Sequence, residues 1–331
     1  LSCEALEDGT IENGKGVNFP EIALDVPVLT DQDEKDLLLS LQKEADWIAL
    51  SFVRSPSDYS LISSKVKEAG YKTPVMAKIE KWEAVQNLNS IIESFDAVMV
   101  ARGDLGVELP VAKVPLVQME VVEKAHQLGK PVVIATQILD SMTDRPVPTR
   151  AEVSDIANSI LDGADALMVT GETAIGNHPK KVIRVLKGVI EETESAINYQ
   201  RNIEMPTSKT TNTAMAISQA ACSVATHQNI EVLVTMTHSG STARMAARHR
   251  SVARIVAMTP SKKICRQLSI VWGVSPILVD EYESADEIPI VANKVLKANG
   301  LLKEGEKFVI TGGVPVGVPG TTNYLSVLKL N

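Results

Sequence analysis

A chain of 331 residues with 44% hydrophobic and 22% charged residues is long enough for two packed cores and too balanced in composition to remain disordered. A formal net charge of -8 argues against a surface built for phosphate backbones, so nucleic acid is not an expected partner and any phosphate must be held locally. No apolar run approaches the roughly 18 residues of a membrane span, and Cys3, Cys222 and Cys265 form no CxxC pair, so a membrane, a disulfide framework and a zinc knuckle are not expected.

The opening LSCEALEDGT has no initiator Met and lacks the basic start and apolar core of a signal peptide, which suggests a fragment or processed chain in a reducing cytoplasm. Residues 1 to 20, ending in NGKGVNFP, look like the last strand of a unit that began upstream. Thr30 before Asp31 and Asp33 then starts a helix. Short β-branched runs follow at 46 to 53, 74 to 80, 96 to 102, 131 to 137 and 165 to 172, separated by segments of helical period. Gly129-Lys130-Pro131 stops one helix, and Thr149 with Glu152 makes a capping box for the next.

Runs that are apolar at consecutive positions are buried on both faces, as in parallel sheets covered by helices. Five βα units in a row make an α/β fold with a right-handed parallel sheet, either a barrel or an open doubly wound one; periodicity does not choose. The polar stretch from 200 to 213 reads as a linker into a smaller α/β unit with strands at 232 to 236, 253 to 259, 276 to 279, 307 to 312 and 324 to 330. The expected units are thus 1–20, a larger catalytic unit at 21–200 and a smaller one at 201–331.

In parallel α/β folds the loops at the C-terminal ends of the strands build the site. Here those ends carry Ser51 and Arg54, Lys78 and Glu80, Arg102-Gly103-Asp104, Thr136-Gln137, and Gly171-Glu172-Thr173. Lys78 and Glu80 are two apart on one strand and leave the same face, either as a structural ion pair or as part of a site. Asp104 adds a second carboxylate from the adjacent strand, and magnesium is commonly held by one or two carboxylates with substrate and water completing the shell. Gly103 and Gly106 let backbone approach a ligand at a helix start. Thr136 read alone is a hydroxyl bonded to a nearby carbonyl.

The blocks MAKIE (76 to 80), VMVARGDLGVELP (98 to 110), GKPVVIATQILDSM (129 to 142), PTRAEVSDIANSILDGADALMVTGETAIGNHP (148 to 179) and NGKGVNFP (13 to 20) resemble, in order, the hallmark blocks of pyruvate kinases. The resemblance implies a (β/α)8 TIM-type barrel with a lid inserted after its third strand and a C-terminal α/β domain of regulatory type. Residues 1–20 would be the tail of the lid and the five runs barrel strands four to eight. The upstream strands, most of the lid, the potassium ligands and much of the nucleotide contact would lie outside this sequence, leaving the chain alone inactive.

The reaction so implied moves the phosphoryl group of phosphoenolpyruvate to ADP. Glu80 and Asp104 would hold Mg²⁺ or Mn²⁺. Lys78 would stabilise the phosphoryl group and the enolate oxygen, backbone amides near Arg102, Gly103 and Asp104 would grip the substrate carboxylate, and Thr136 would lie beside the methylene carbon. The family resemblance also implies a homotetramer in the cytoplasm, and apolar loops such as GGVPVGVPGTTN leave a plastid open. Two other readings stand beside it, a metal-dependent enolate lyase on a related barrel and a catalytically silent subunit or effector-binding chain.

In the smaller unit, Thr237, Ser239, Gly240, Ser241 and Thr242 lead from a strand into a helix, where hydroxyls and free amides make a phosphate cradle or simply cap the helix. By resemblance this loop, with residues 312 to 323 as its partner, would bind a sugar phosphate or AMP. His238 and the apolar GVPVGVPG depart from the basic side chains of members activated by sugar bisphosphates.

Overall fold

The computed structural model describes residues 4, 8–10, 12–14, 17, 19–20, 22, 26–196, 212–318 and 320–331. Most of the expected linker at 200 to 213, part of the opening block and Cys3 lie outside the described residues.

The larger unit alternates α1 (Asp31–Gln42), β1 (Ile48–Leu50), α2 (Pro56–Glu68), β2 (Val75–Ile79), α3 (Trp82–Gln86), α4 (Leu88–Ser94), β3 (Ala97–Ala101), α5 (Arg102–Glu108), α6 (Val114–Leu128), β4 (Val132–Ala135), α7 (Arg150–Asp162), β5 (Ala166–Met168), α8 (Gly171–Ala174) and α9 (Pro179–Ser195). Its five strands are all parallel and pair in the order β1-β2-β3-β4-β5. That order follows the chain without reversal, which is the habit of a barrel wall; a doubly wound sheet reverses direction at a switch point.

Both helix starts expected at Thr30 and Thr149 form, each with a capping box. Thr30 Oγ1 accepts from the Asp33 amide while Asp33 accepts from the Thr30 amide, and Thr149 and Glu152 do the same at the start of α7. Gly129 closes α6 at φ +65° and Gly163 closes α7 at φ +104°, conformations that L side chains rarely adopt.

Side chains alternate across each strand, so the sheet has two apolar faces. One packs under the helices through residues such as Ile79, Val98, Val100, Val132 and Ile134. The other is a smaller cluster of Met76, Ala97, Met99, Val133 and Ala135. Lys78 follows Met76 by two residues and therefore stands on the face of the smaller cluster, one step nearer the strand's C-terminal end.

The smaller unit contains α10 (Thr213–His227), β6 (Val232–Met236), α11 (Ser241–Ala247), β7 (Arg254–Thr259), α12 (Lys262–Leu268), β8 (Val274–Leu278), α13 (Glu287–Ala298), β9 (Lys307–Gly313) and β10 (Thr322–Lys329). Its sheet runs β10-β9-β6-β7-β8, parallel except for the β10–β9 hairpin, and turns back on itself beside β6. Separate apolar clusters fill its two faces. Among the described residues no helix is long and apolar enough to cross a membrane.

A polar seam joins the units. Arg266 pairs with Asp46 at 2.9 Å, Gln267 and Trp47 exchange hydrogen bonds across the gap with Asp46 and Gln267 carbonyls, and Trp272 donates to Asp165 and Glu194. Deeper in, Arg250 meets Asp165 at 3.1 Å, donates to His126 Nε2 at 2.6 Å and to the Gly163 carbonyl, and lies over the Trp272 ring. A Cβ on Gly163 would fall 2.5 Å from the His126 ring, so this position needs glycine for space as well as for φ.

Candidate active site

The C-terminal end of β2 presents a cation and a carboxylate to one place. Lys78 Nζ lies 2.7 Å from Ser51 Oγ and 3.0 Å from Glu80 Oε2. Glu80 is fully buried, and its Oε1 accepts the Phe52 amide at 2.6 Å. Phe52 reaches that position with φ +56°, a left-handed conformation uncommon for a bulky residue and typical of constrained sites.

Burial pushes the Glu80 carboxyl above the usual carboxylate range, and the nearby Asp104 charge adds to the rise. The Phe52 amide and the Lys78 ammonium oppose it. Glu80 Oε2 is buried outside hydrogen-bond geometry, and the Asp104 carboxylate has neither an ion pair nor a hydrogen bond among the described residues. Two hard oxygen donors from adjacent strand ends, with the Asp104 charge close enough to act on Glu80, suit a divalent cation of the magnesium class. Among the described residues no three His, Cys, Asp or Glu gather into a metal cage.

Asp104 is carried by α5, which begins directly after β3. Arg102 anchors that start: its Nη1 meets Asp155 Oδ2 at 2.5 Å, and its Nη2 donates to the carbonyls of Thr136 and Gln137 at 2.9 and 3.1 Å. Those two residues are consecutive at φ +66° and +54°. Holding two non-glycine residues in the left-handed region costs on the order of 1 to 3 kcal/mol each, and the bonds from Arg102 help offset it.

Thr136 differs from the expectation for an isolated hydroxyl. Its Oγ1 accepts the Gly103 amide at 2.8 Å, across the β3–β4 gap, where a bond to a carbonyl was expected. The bond ties the start of α5 to the end of β4. Glu172 is buried and orients loops: Oε1 accepts the Leu139 amide and Oε2 the Thr170 amide.

The sequence-derived candidates Lys78, Glu80, Gly103, Asp104 and Thr136 therefore all lie on neighbouring ends of β2, β3 and β4. Phe52, Ser51 and the pair Lys81–Glu108 join them. Phe52 and the Lys81–Glu108 pair carry no sequence signal, because each acts through backbone conformation or a partner far along the chain. A groove of about 880 Å³ beside β1 reaches this rim through Ser51, Phe52, Arg54 and Lys81.

In the smaller unit, Thr237, Ser239, Gly240, Ser241 and Thr242 form the turn from β6 into α11. Thr237 Oγ1 accepts the Gly240 amide at 2.9 Å, and Ser239 and Ser241 hydroxyls are 3.0 Å apart. Gly240 takes φ +78°. The loop from Gly313 to Thr322 comes to the same cavity, with Thr242 and Thr322 hydroxyls 2.8 Å apart. The His238 and Tyr282 rings lie tilted at 48° with centroids 5.1 Å apart, and His238 lies 3.6 Å from Glu281.

Two family models match the chain, one in each unit. Residues 1–183 match the family model described as pyruvate kinase, barrel domain, and residues 215–328 match pyruvate kinase, alpha/beta domain. The chain is 43% identical over 329 residues to pyruvate kinase 2 of Synechocystis sp., covering 99% of this chain and 55% of that protein. It is 41% identical over 328 residues to pyruvate kinase of Clostridium acetobutylicum, covering 98% and 69%, and 39% identical over 328 residues to pyruvate kinase of Staphylococcus epidermidis, covering 99% and 56%. The chain thus spans between about half and two thirds of the length of these relatives.

Proposed function

The chain belongs to the pyruvate kinase family, and from that premise we propose that it carries the site at which the phosphoryl group of phosphoenolpyruvate passes to ADP, giving pyruvate and ATP. The observation that carries the proposal is the buried Glu80 carboxylate, fixed on one oxygen by the Phe52 amide and facing the Lys78 ammonium with the other. Phosphoryl transfer asks a protein for placement and charge neutralisation more than for covalent chemistry.

Glu80 and Asp104 would hold Mg²⁺ or Mn²⁺, which when bound supplies neutralisation of negative charge on phosphoryl and enolate oxygens. Lys78, held by Ser51 on one side and Glu80 on the other, keeps a compact positive charge over the same place. It stabilises the transferring group and the enolate oxygen left behind. Thr136 spends one lone pair of Oγ1 on the Gly103 amide, so its hydroxyl proton points away from that bond. It orients the proton-delivery side of the enolate. Backbone amides near Arg102, Gly103 and Asp104, at the start of α5, bind the substrate carboxylate.

The loop Thr237 to Thr242 with its partner loop is proposed to take a phosphorylated effector, a sugar monophosphate or AMP, through hydroxyls and the amides of α11. Val107, Val111, Leu116 and Met119 are exposed on α5, α6 and their connection, and we assign these apolar side chains to contact with further copies of the chain in a homotetramer.

Turnover in the complete gene product, read by coupled pyruvate formation, tests the catalytic assignment. Lys78→Met is expected to lower kcat by about 10²-fold or more while Mn²⁺ binding persists. Near-normal kcat would remove Lys78 from the chemistry, and pyruvate formation without dependence on ADP would favour lyase chemistry instead.

A further inference from the structure

Glu80 and Asp104 stand on different elements, so the distance between their carboxylates is set by whatever ties the end of β2 to α5. The β2–β3 ladder does not reach them. Its last paired residues are Ile79 and Val100, and both carboxylates lie beyond that point.

The next tie is an ion pair. Lys81 follows Glu80 directly, and Glu108 lies four residues after Asp104, one helical turn along the same side of α5. Lys81 Nζ meets Glu108 Oε1 at 2.7 Å with side chains only 13% and 2% exposed. Arg102 secures the other flank of α5 against Asp155 and the β4 loop. The segment bearing Asp104 is thus clamped on both flanks, and Lys81–Glu108 is the clamp that ties it to the residue next to Glu80.

We propose that Lys81 is a positioning residue that sets the spacing of Glu80 and Asp104 and so the affinity of the pair for a divalent ion. The inference rests on the reading of those two carboxylates as metal ligands. Its sign separates it from simple electrostatics. A positive charge near a cation site repels the cation, so deleting it should tighten binding. Loss of a partner that holds ligands in place should weaken binding, and such partners are worth about 10- to 100-fold in metal affinity.

The test is Mn²⁺ binding to the full chain, read from the electron paramagnetic resonance signal of free Mn²⁺, with no turnover required. Lys81→Met is expected to raise Kd about tenfold or more, and Lys81→Arg, which can still reach Glu108, to restore most of the affinity. An unchanged or lower Kd in Lys81→Met overturns the proposal. If Lys81→Met does not fold, Lys81→Gln removes the same positive charge with a polar side chain in its place; an unchanged or lower Kd there overturns the proposal, and a raised one, against the electrostatic sign, supports it. Glu80→Gln separates the two levels. If it too leaves Mn²⁺ binding unchanged, or if the unaltered chain binds none, the carboxylates are not the ligands and both readings fall; if it weakens binding while Lys81→Met does not, the clamp alone fails.

Discussion

Acid should weaken the seam between the two units through His126. Arg250 offers only N–H groups, so His126 Nε2 must be the acceptor in their 2.6 Å bond and the ring proton sits on Nδ1. Protonating Nε2 breaks that bond and sets two cations together. Burial and then Arg250 lower the His126 pKa from 6.5 to about 4, with Arg248 adding to the fall and Asp165 and the Gly163 backbone opposing it.

The unfolded chain therefore takes the proton first. The contribution of neutral His126 is complete above pH 6.5 and is lost as pH falls toward 4. Between these two values the loss at pH 5 is about 2 kcal/mol, a fall in melting temperature on the order of 4 °C. Asn at this position keeps an oxygen acceptor for Arg250 and does not titrate. Melting curves of the unaltered chain and His126→Asn at pH 7 and pH 5 should show a smaller acid loss in the variant by about that amount. His249, whose pKa burial also lowers to about 4, contributes equally to both proteins and cancels in the difference. Parallel acid losses would refute the reasoning.

Other outcomes follow from the same geometry. Gly163→Ala should cost about 1 to 2 kcal/mol from its left-handed φ alone, and more from the push against His126; a melting temperature within error of the unaltered protein would contradict the close approach. Leu116→Lys on the exposed face of α6 should shift sedimentation toward smaller species, and an unaltered distribution would show that this face is not buried between copies. Titrating sugar monophosphates, sugar bisphosphates and AMP against activity should give activation that Thr237→Val weakens, since that hydroxyl holds the Gly240 turn; a flat response to all would leave the loop as a helix cap.

Much of the site was readable because strand periodicity is local. Two residues on one strand separated by two must share a face, which brings Lys78 and Glu80 together from the sequence alone, and the caps at Thr30 and Thr149 need only three residues of context. The strands end earlier than their apolar runs suggest. The run expected at 165 to 172 pairs only over Ala166–Met168, because Thr170 to Glu172 turns into α8 and lends its carboxylate to the loops.

What could not be read depends on partners distant in sequence. Arg102 and Asp155 are 53 residues apart, and Lys81 and Glu108 are 27 apart. The left-handed turns at Phe52, Thr136 and Gln137 carry none of the glycine or asparagine that normally marks such positions. Thr136 itself was legible as a candidate but not in its bonding, since an acceptor for an amide on the adjacent strand end looks the same in sequence as a donor to a carbonyl. The order of the second sheet likewise emerges only from pairing, because β9 returns past two strands to lie beside β6.

The most direct measurement is anomalous diffraction from crystals grown with Mn²⁺. A single strong peak bonded to oxygens of both Glu80 and Asp104, with Lys78 Nζ on its open side, is the result this account predicts. A peak held by other residues, or by only one of these carboxylates, would contradict it.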